Sequence, residues 1–293
     1  MRTAFATTVW CLFSYLMATA QASYDFHPFQ NPGATITRAF GLNGSGKIVG
    51  TDDVISGRHA FLADRDSSAS LDRLGVLGTH TSFARGINSK GVIVGGYAGS
   101  DGREHGFILR ESKLVKFDVP FRHAVGTQLN AINDAGAIIG VWVDPGFKGH
   151  GFIYQDGTFT PLEYPGARDT TPFAINSRGD VVGNWDTDQS HTGHGFLLTN
   201  GKMTSFDAPG ALPNSTAANG INDDGEIVGA YVGGDGYFHG FIRQGTSFTT
   251  LDCPGALDTI AWAINTAGDI AGNCDDSNRR QGFIAKRKSA TTP

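Results

Sequence analysis

Short apolar runs, separated by turn-forming residues, follow one another along most of the chain. Runs such as Ile138-Ile139-Gly140 and Phe159-Thr160-Pro161-Leu162 have the length and composition of β-strands. The segments between them are rich in Asn, Asp and Gly, as in Asn133-Asp134-Ala135-Gly136, where glycine can take the positive φ that a tight turn requires. This pattern predicts an all-β protein of short antiparallel strands.

One unit recurs six times along the chain. Its first signal is the ten-residue pattern small-[Ile/Leu]-Asn-x-x-Gly-x-aliphatic-aliphatic-Gly, in which x is a variable residue. The copies begin at Gly41-Leu42-Asn43, Gly86-Ile87-Asn88, Ala131-Ile132-Asn133, Ala174-Ile175-Asn176, Gly220-Ile221-Asn222 and Ala263-Ile264-Asn265. Successive asparagines are 45, 45, 43, 46 and 43 residues apart. A fixed period of this length indicates a repeat architecture.

Two further signals repeat in step with the first. The triplet His-Ala/Gly-Phe stands at His59-Ala60-Phe61, His105-Gly106-Phe107, His150-Gly151-Phe152, His194-Gly195-Phe196 and His239-Gly240-Phe241, with the variant Gln281-Gly282-Phe283. A segment ending in Pro-Gly stands at Leu162-Glu163-Tyr164-Pro165-Gly166, Phe206-Asp207-Ala208-Pro209-Gly210 and Leu251-Asp252-Cys253-Pro254-Gly255. Each unit of about 45 residues therefore contains four short strands, which is the period of a β-propeller blade.

The phase of the repeat predicts how the array closes. The last copy stops after its third strand, at Phe283-Ile284, and a segment like the missing fourth strand stands at Phe29–Ala34, beginning 14 residues before Asn43. We therefore expect a six-bladed β-propeller of four-stranded antiparallel blades, closed by an N-terminal strand that completes the last blade and leaves no open edge. The propeller would span residues 23–285, and residues 286–293 would form a disordered basic tail.

The His-Ala/Gly-Phe triplet and the Ile-Asn-x-x-Gly-x-Ile-Val-Gly block together resemble the HAF repeat family of exported bacterial proteins. The resemblance covers essentially the whole chain after its first 22 residues. It implies an extracytoplasmic β-repeat protein. It carries no reaction and no catalytic residues that could be transferred to this sequence.

The first residues have the three-part layout of a secretory signal peptide. Met1-Arg2 supplies a positive charge, Thr3–Ala18 is apolar, and Ala20-Gln21-Ala22 is a small-x-small cleavage site. We expect residues 1–22 to be removed, with an uncleaved N-terminal anchor as the alternative. No later stretch is apolar for long enough to span a membrane. The expected location is secreted or periplasmic.

Composition narrows the classes of function. The chain has 293 residues, of which 40% are hydrophobic and 41 are glycine, and this is enough apolar material for a large core. A formal net charge of −5 argues against nucleic acid as a partner. The sequence contains no zinc, nucleotide-binding or nucleophile-elbow motif, so we expect no metal and no cofactor.

The repeated histidines and small residues have structural interpretations. The five histidines fall one to a blade, so they cannot form a metal-ligand cluster. Each histidine is expected to cap a buried polar group, while the phenylalanine two residues later fills the interface between blades. The small residue before each Ile-Asn suits an innermost strand, where the backbones of neighbouring blades crowd together.

Two cysteines remain once Cys11 leaves with the signal peptide. Cys253 ends the fourth strand of one unit, and Cys274 ends the second strand of the next. Both ends fall on the same face of neighbouring blades, and an oxidising compartment would permit a disulfide between them. A free, packed thiol at Cys274 is the alternative.

The face that carries the variable loops is the predicted ligand surface. Aromatic residues end the second strand in most blades, and charged residues occupy the loops that link the blades. The candidate binding residues are Tyr97, Trp142, Trp185, Tyr231, Arg122, Arg168, Asp169 and Asp258. Aromatic platforms beside polar groups suit a glycan or another small polar ligand. Alternatively, the aromatic residues only cover the rim of the propeller.

The preferred function is a monomeric, non-catalytic binding module, because no blade carries the long inserted loop on which propeller chemistry is commonly built. One alternative is a hydrolase or lyase in which carboxylates at the central mouth, such as Asp169 and Asp258, act as acid and base. Another is an envelope scaffold that binds proteins through its rim.

Overall fold

The computed structural model describes residues 18–19, 23–64, 68–70, 81–187, 193–276 and 280–288. These residues form six sheets, each with four strands in an antiparallel meander, and one sheet has an additional short strand at its edge. The predicted all-β, six-bladed β-propeller is confirmed.

The strands begin with β1 (Ala18–Thr19) and β2 (Tyr24–Phe29). Blade 1 contains β3 (Ile36–Leu42), β4 (Ile48–Val54), β5 (Gly57–Ala63) and β6 (Ser68–Ser70). Blade 2 contains β7 (Ser82–Ile87), β8 (Ile93–Ala98), β9 (Glu104–Arg110) and β10 (Lys113–Phe117). Blade 3 contains β11 (Gly126–Ile132), β12 (Ile138–Val143), β13 (Gly149–Gln155) and β14 (Thr158–Leu162).

The second half of the ring repeats this order. Blade 4 contains β15 (Asp169–Ile175), β16 (Val181–Asp186), β17 (His194–Thr199) and β18 (Lys202–Phe206). Blade 5 contains β19 (Thr216–Ile221), β20 (Ile227–Val232), β21 (Phe238–Gln244) and β22 (Ser247–Leu251). Blade 6 contains β23 (Asp258–Ile264), β24 (Ile270–Asp275), β25 (Arg280–Arg287) and, as its fourth strand, β2.

The N-terminal strand closes the ring as predicted. Strand β2 pairs antiparallel with β25, with Pro28 opposite Phe283 and Phe29 opposite Gly282. Proline is tolerated here because β2 is the outer edge of its sheet, where one row of backbone N–H groups has no strand to pair with. Blade 6 is therefore assembled from both ends of the chain.

The predicted start of the disordered basic tail, at residue 286, is wrong, because the structure describes residues 286–288 and the backbone N–H of Lys288 donates to the backbone oxygen of Ser23. Strand β25 continues through Lys286 and Arg287, which pair with Asp25 and Tyr24 of β2. The side chains of these two basic residues bind acidic and polar partners. Lys286 contacts Asp269, and Arg287 contacts Tyr24 and Glu226. Residues 289–293 of the predicted tail lie outside the described residues.

The phenylalanine of each His-Ala/Gly-Phe triplet fills the core of its blade. The six rings are at most 1% exposed, and they belong to Phe61, Phe107, Phe152, Phe196, Phe241 and Phe283. Each lies opposite a glycine of the second strand; Phe152, for example, pairs with Gly140, where an added Cβ would lie 2.8 Å from the ring. Phe152 also belongs to one buried cluster with Val94 of blade 2, in agreement with the predicted role at the interface between blades.

The innermost strands crowd together as predicted. An added Cβ on Gly86 of blade 2 would lie 2.7 Å from the Cα of Ala131 in blade 3, and one on Gly41 would lie 2.8 Å from the carbonyl oxygen of Arg85. Distances this short would force neighbouring backbones apart. Glycine is therefore required at Gly41 and Gly86, where the first strands of adjacent blades meet.

The repeated asparagines form a closed ring of hydrogen bonds around the axis. Each Oδ1 accepts from the backbone N–H four residues later, which builds the predicted turn. Each Nδ2 donates to the backbone oxygen of the corresponding asparagine in the next blade, over 3.0 to 3.3 Å. The last of these bonds, from Asn265 to Asn43, joins blade 6 to blade 1.

The structure also joins Cys253 to Cys274 in a disulfide, with their Cα atoms 6.2 Å apart. This bond connects the end of blade 5 to β24 of blade 6. Ala18 and Thr19, from the predicted signal peptide, form β1 and pair in parallel with β22; the rest of that segment lies outside the described residues. Within the part of the chain that is described, no helix is long and apolar enough to cross a membrane.

Candidate functional site

The propeller has two unlike faces. We call the face that carries the turns linking one blade to the next, such as residues 118–125, the loop face. We call the opposite face, which carries the six asparagine turns, the turn face. In each blade the second strand ends at the loop face and the third strand begins there, so both present their terminal side chains on it.

The predicted aromatic residues on the loop face all contact histidines: the two tryptophans are stacked on theirs, and the two tyrosines are tilted against theirs. Each aromatic residue and the histidine of its blade are directly opposite on neighbouring strands, so their rings meet. The distances between ring centroids are 5.4 Å for Tyr97 and His105, 4.1 Å for Trp142 and His150, 4.7 Å for Trp185 and His194, and 5.5 Å for Tyr231 and His239.

The same histidines bind carboxylates. The Nδ1 of His150 lies 2.7 Å from Glu163 Oε1, and its Nε2 lies 3.3 Å from Asp144 Oδ2. His105 is held in the same way by two aspartates. In four blades the histidine and the acid on its Nδ1 side are 13 residues apart. This constant spacing is a signal in the sequence from which the four acidic partners could have been predicted.

These contacts fix the charge of the acidic side chains. The hydrogen bond from His150 lowers the pKa of Glu163 against the opposing effect of burial, and Lys148 adds to the lowering. The pKa of Asp144 is lowered chiefly by the backbone N–H of Lys148. The described residues include no group of three His, Cys, Asp or Glu side chains that could hold a metal ion. The arrangement therefore presents fixed carboxylates beside aromatic rings.

A groove lies between blade 3 and the turn that links blade 2 to it. We call it the Trp142 groove; its volume is about 380 Å³. The apolar part of its lining consists of Phe121, Trp142, Phe152, Phe159 and Pro161, and the polar part of Arg122, His123, His150 and Glu163. The blade-linking turn supplies Phe121, whose ring lies 5.2 Å from Trp142 and 5.4 Å from Phe159.

Arg122 stands at the edge of this groove. Its side chain is exposed, and it also lines a neighbouring cavity of about 240 Å³ beside His105 and Asp118. No described residue forms an ion pair with it. Two of the predicted binding residues, Arg122 and Trp142, are therefore brought together by the fold.

The other predicted aromatic residues do not line the groove. Trp185 stacks on two rings, Tyr164 at 4.2 Å and His194 at 4.7 Å between ring centroids. Tyr231 is only 6% exposed. Tyr97 is partly exposed beside His105. Among the four aromatic candidates, Trp142 alone lines the groove.

The remaining charged candidates connect neighbouring blades. Asp169 is 5% exposed, and it accepts hydrogen bonds from the backbone N–H of Gly149 in blade 3 and from Arg168. Asp258 accepts from the backbone N–H of Phe238 in blade 5, over 2.7 Å. The two carboxylates lie on blades 4 and 6, so each forms its contacts at a different junction between blades.

Comparisons with known proteins define the class of the molecule as a β-propeller. No protein-family model and no curated protein matches the chain. A mutant of the Aleuria aurantia lectin in complex with Fucα1-6GlcNAc is similar with a TM-score of 0.55 and 11% identity, over 93% of this chain and 97% of that one. The β-propeller domain of the Trilobed protease from Pyrococcus furiosus gives 0.51 and 12%, over 89% and 86%.

A third similar structure is that of an enzyme. The Trypanosoma rangeli sialidase in complex with sialic acid is similar with a TM-score of 0.52 and 10% identity, over 92% of this chain and 58% of that one. At such identities the likeness shows the fold alone. Propellers of this shape include a lectin, a domain of a protease and a sialidase, so the fold does not choose between binding and catalysis.

Proposed function

We propose that this protein is a non-catalytic binding module that holds a glycan in the Trp142 groove. The observation that carries the proposal is the position of Trp142, which forms an aromatic wall of a cavity whose rim holds Glu163 and Arg122. An aromatic wall suits the apolar face of a sugar ring, and a few fixed polar groups suit its hydroxyls.

The groove is organised before any ligand arrives. Trp142 stacks on His150 with an angle of 12° between the ring planes, and His150 is itself held by Glu163 and Asp144. A wall and a carboxylate that are already positioned lose little conformational freedom on binding. Glu163 would accept hydrogen bonds from sugar hydroxyls, and Arg122 would donate them.

We further propose that the protein is exported and monomeric, and that it is related to the HAF repeat proteins. The signal-peptide pattern of residues 1–22 and the disulfide between Cys253 and Cys274 support export, because such bonds persist in oxidising compartments. The Aleuria aurantia lectin has a similar fold and was solved with a bound saccharide, so the β-propeller fold is compatible with glycan binding.

A matched pair of variants tests the proposed site. We expect Trp142→Ala to weaken binding of a glycan identified on an array by about tenfold or more, ~1.4 kcal/mol. Trp185→Ala removes the same residue type from the same position of blade 4 and should leave affinity unchanged, because Trp185 stacks on Tyr164 and His194 and does not line the groove.

The alternatives give different results in the same assays. Equal losses from the two tryptophan variants would contradict the proposed groove. Appearance of a cleaved product from the bound glycan would favour the hydrolase or lyase. A flat response across all saccharides, with one protein recovered at stoichiometric amounts by the wild type, would favour the scaffold.

A further inference from the structure

A second cavity opens at the propeller axis on the turn face, away from the Trp142 groove. Its volume is about 310 Å³, and it is lined by the ends of the six innermost strands and the turns that follow them. We call it the axial cavity. Because the groove lies on the loop face, the two cavities can be studied separately.

Six β-bulges shape the axial cavity, one in the first strand of each blade. In every inner strand the pairing register shifts by one residue just before the small residue of the repeat. The extra residues are Phe40, Arg85, Asn130, Phe173, Asn219 and Trp262, and all six line the cavity. A bulge redirects a side chain out of the regular alternation, so these positions form a ring of unlike side chains in an otherwise uniform repeat.

Arg85 supplies the positive charge of this ring. Its guanidinium lies 5.2 Å from the ring centroid of Phe40 and 5.0 Å from that of Phe83. Its Nε is buried, and no described residue accepts a hydrogen bond from it. Glu104 is near enough for its charge to act on Arg85, but its carboxylate accepts a hydrogen bond from Gln128.

Aromatic and amide side chains complete the wall. Trp262 lies 5.2 Å from Phe40 and 6.3 Å from Phe173, so three rings form an apolar surface beside Arg85. Asn130 and Asn219 are each 4% exposed, and each has an Oδ1 without a hydrogen-bond partner. A half-buried cation beside flat apolar rings matches a ligand with one anionic group on a planar body.

We propose that the axial cavity binds a small planar carboxylate, with its carboxylate on Arg85 and its apolar body against Phe40 and Trp262. Two carboxylates at the mouth, Asp134 and Asp223, restrict the charge of the ligand. They would repel a phosphate or a polyanion more strongly than a single carboxylate. The cavity volume lies near the lower end of the range for small-molecule sites, which also favours a compact ligand.

Benzoate and nitrobenzene are the probes that test this site, since they share one shape and differ in charge. We expect the wild type to bind benzoate, measured by calorimetry, and to bind nitrobenzene at least tenfold more weakly. Arg85→Gln should lower the affinity for benzoate at least tenfold. Arg243→Gln is the matched control, because Arg243 also stacks on a phenylalanine, at 4.2 Å, and has a buried Nε without an acceptor, but lies outside the cavity.

A second pair of variants should strengthen binding, which misfolding cannot imitate. Asp134→Asn and Asp223→Asn remove the negative charges at the mouth and keep the oxygen that accepts from the backbone N–H of Ser89 or Ser177. Both should raise the affinity for benzoate severalfold at low salt and leave nitrobenzene unaffected.

Three outcomes would overturn the proposal. They are no binding of benzoate at millimolar concentration, equal affinity for benzoate and nitrobenzene, and unchanged benzoate affinity in Arg85→Gln. Trp142→Ala should bind benzoate as the wild type does, so a failure of the glycan site and a failure of the axial site give separate results.

Discussion

The asparagine of each repeat performs two tasks with its two side-chain atoms. In blade 3, Asn133 Oδ1 accepts from the backbone N–H of Ala137 over 2.9 Å, and Nδ2 donates to the backbone oxygen of Asn176 over 3.0 Å. The first bond builds the turn and the second joins two blades. Aspartate or serine could build the turn, but neither has the amide donor, so asparagine is the residue that satisfies both neighbours.

Replacing this asparagine by aspartate should separate the two tasks. Asn133→Asp keeps the turn acceptor but leaves the backbone oxygen of Asn176 without its donor, and we expect a loss of about 2 kcal/mol in the free energy of unfolding. Asp134→Asn is the control, because Asp134 is exposed and retains its acceptor oxygen in the variant. Equal stability of Asn133→Asp and the wild type in urea unfolding would show that the ring of bonds is dispensable.

His239 on the loop face makes stability depend on pH. Burial opposes protonation of His239, but its hydrogen bonds to Asp252 and Asp235 outweigh that effect and raise its pKa above 6.5. A raised pKa contributes stability that is complete below the ordinary pKa and disappears as the pH rises through the folded value. His239→Gln should therefore lose more stability at about pH 5.5 than at about pH 8.5.

Asp252→Asn tests the same pH dependence from the carboxylate partner of His239. It removes one of the two carboxylates that raise the pKa of His239, so its difference in stability from the wild type should also be larger at acidic pH. The pKa of Asp235 is lowered, so this carboxylate stays ionised at the acidic end of the experiment. A loss that is equal at both pH values would contradict the assignment.

At the scale of elements, strand β2 is held in blade 6 by more than backbone pairing. Arg287 donates to both carboxylate oxygens of Glu226 in blade 5, over 2.8 and 3.0 Å, and also to the hydroxyl of Tyr24. Glu226 is 7% exposed, so Arg287 is needed to balance a buried charge. The Tyr24 hydroxyl donates in turn to the backbone oxygen of Gly268.

Removing the charge of Arg287 should loosen this strand. We expect Arg287→Met to cost about 2 kcal/mol, because it leaves the buried Glu226 carboxylate without a cationic partner and with the Asn222 amide as its remaining side-chain donor. Lys288→Met is the matched control; Lys288 pairs with Asp25 in the same strand pair, but both side chains are more than 40% exposed, and the expected cost is below about 0.5 kcal/mol. Urea unfolding and limited proteolysis of β2 measure the difference, and equal costs would contradict it.

At the scale of the whole molecule, repetition decided what the sequence could predict. The blade count and the docking of β2 follow from signals that occur in every unit. The Trp142 groove depends on Phe121 and Phe159, which meet only because one linking turn folds over one blade. The ring of residues at the axis was not predictable either, because a bulge shifts the register and so breaks the alternation from which facing residues are read.

Ring closure also explains the position of the disulfide between Cys253 and Cys274. The bond fastens blade 5 to blade 6, the blade that is completed by a strand from the other end of the chain. In the chain-entropy account, closing a loop over a sequence separation of 21 residues stabilises the fold by about 3 kcal/mol. The Cys253→Ser/Cys274→Ser double variant should lose about this amount of free energy of unfolding in urea. A reducing agent should lower the stability of the wild type to the same level and leave the double variant unchanged.

The disulfide also predicts how β2 responds to loss of Arg287. Because the bond holds blade 6 in place independently of Arg287, proteolysis of β2 in Arg287→Met should be faster in the reduced protein than in the oxidised one. Two free thiols in the denatured protein, or equal proteolysis rates in the two redox states, would rule out this coupling.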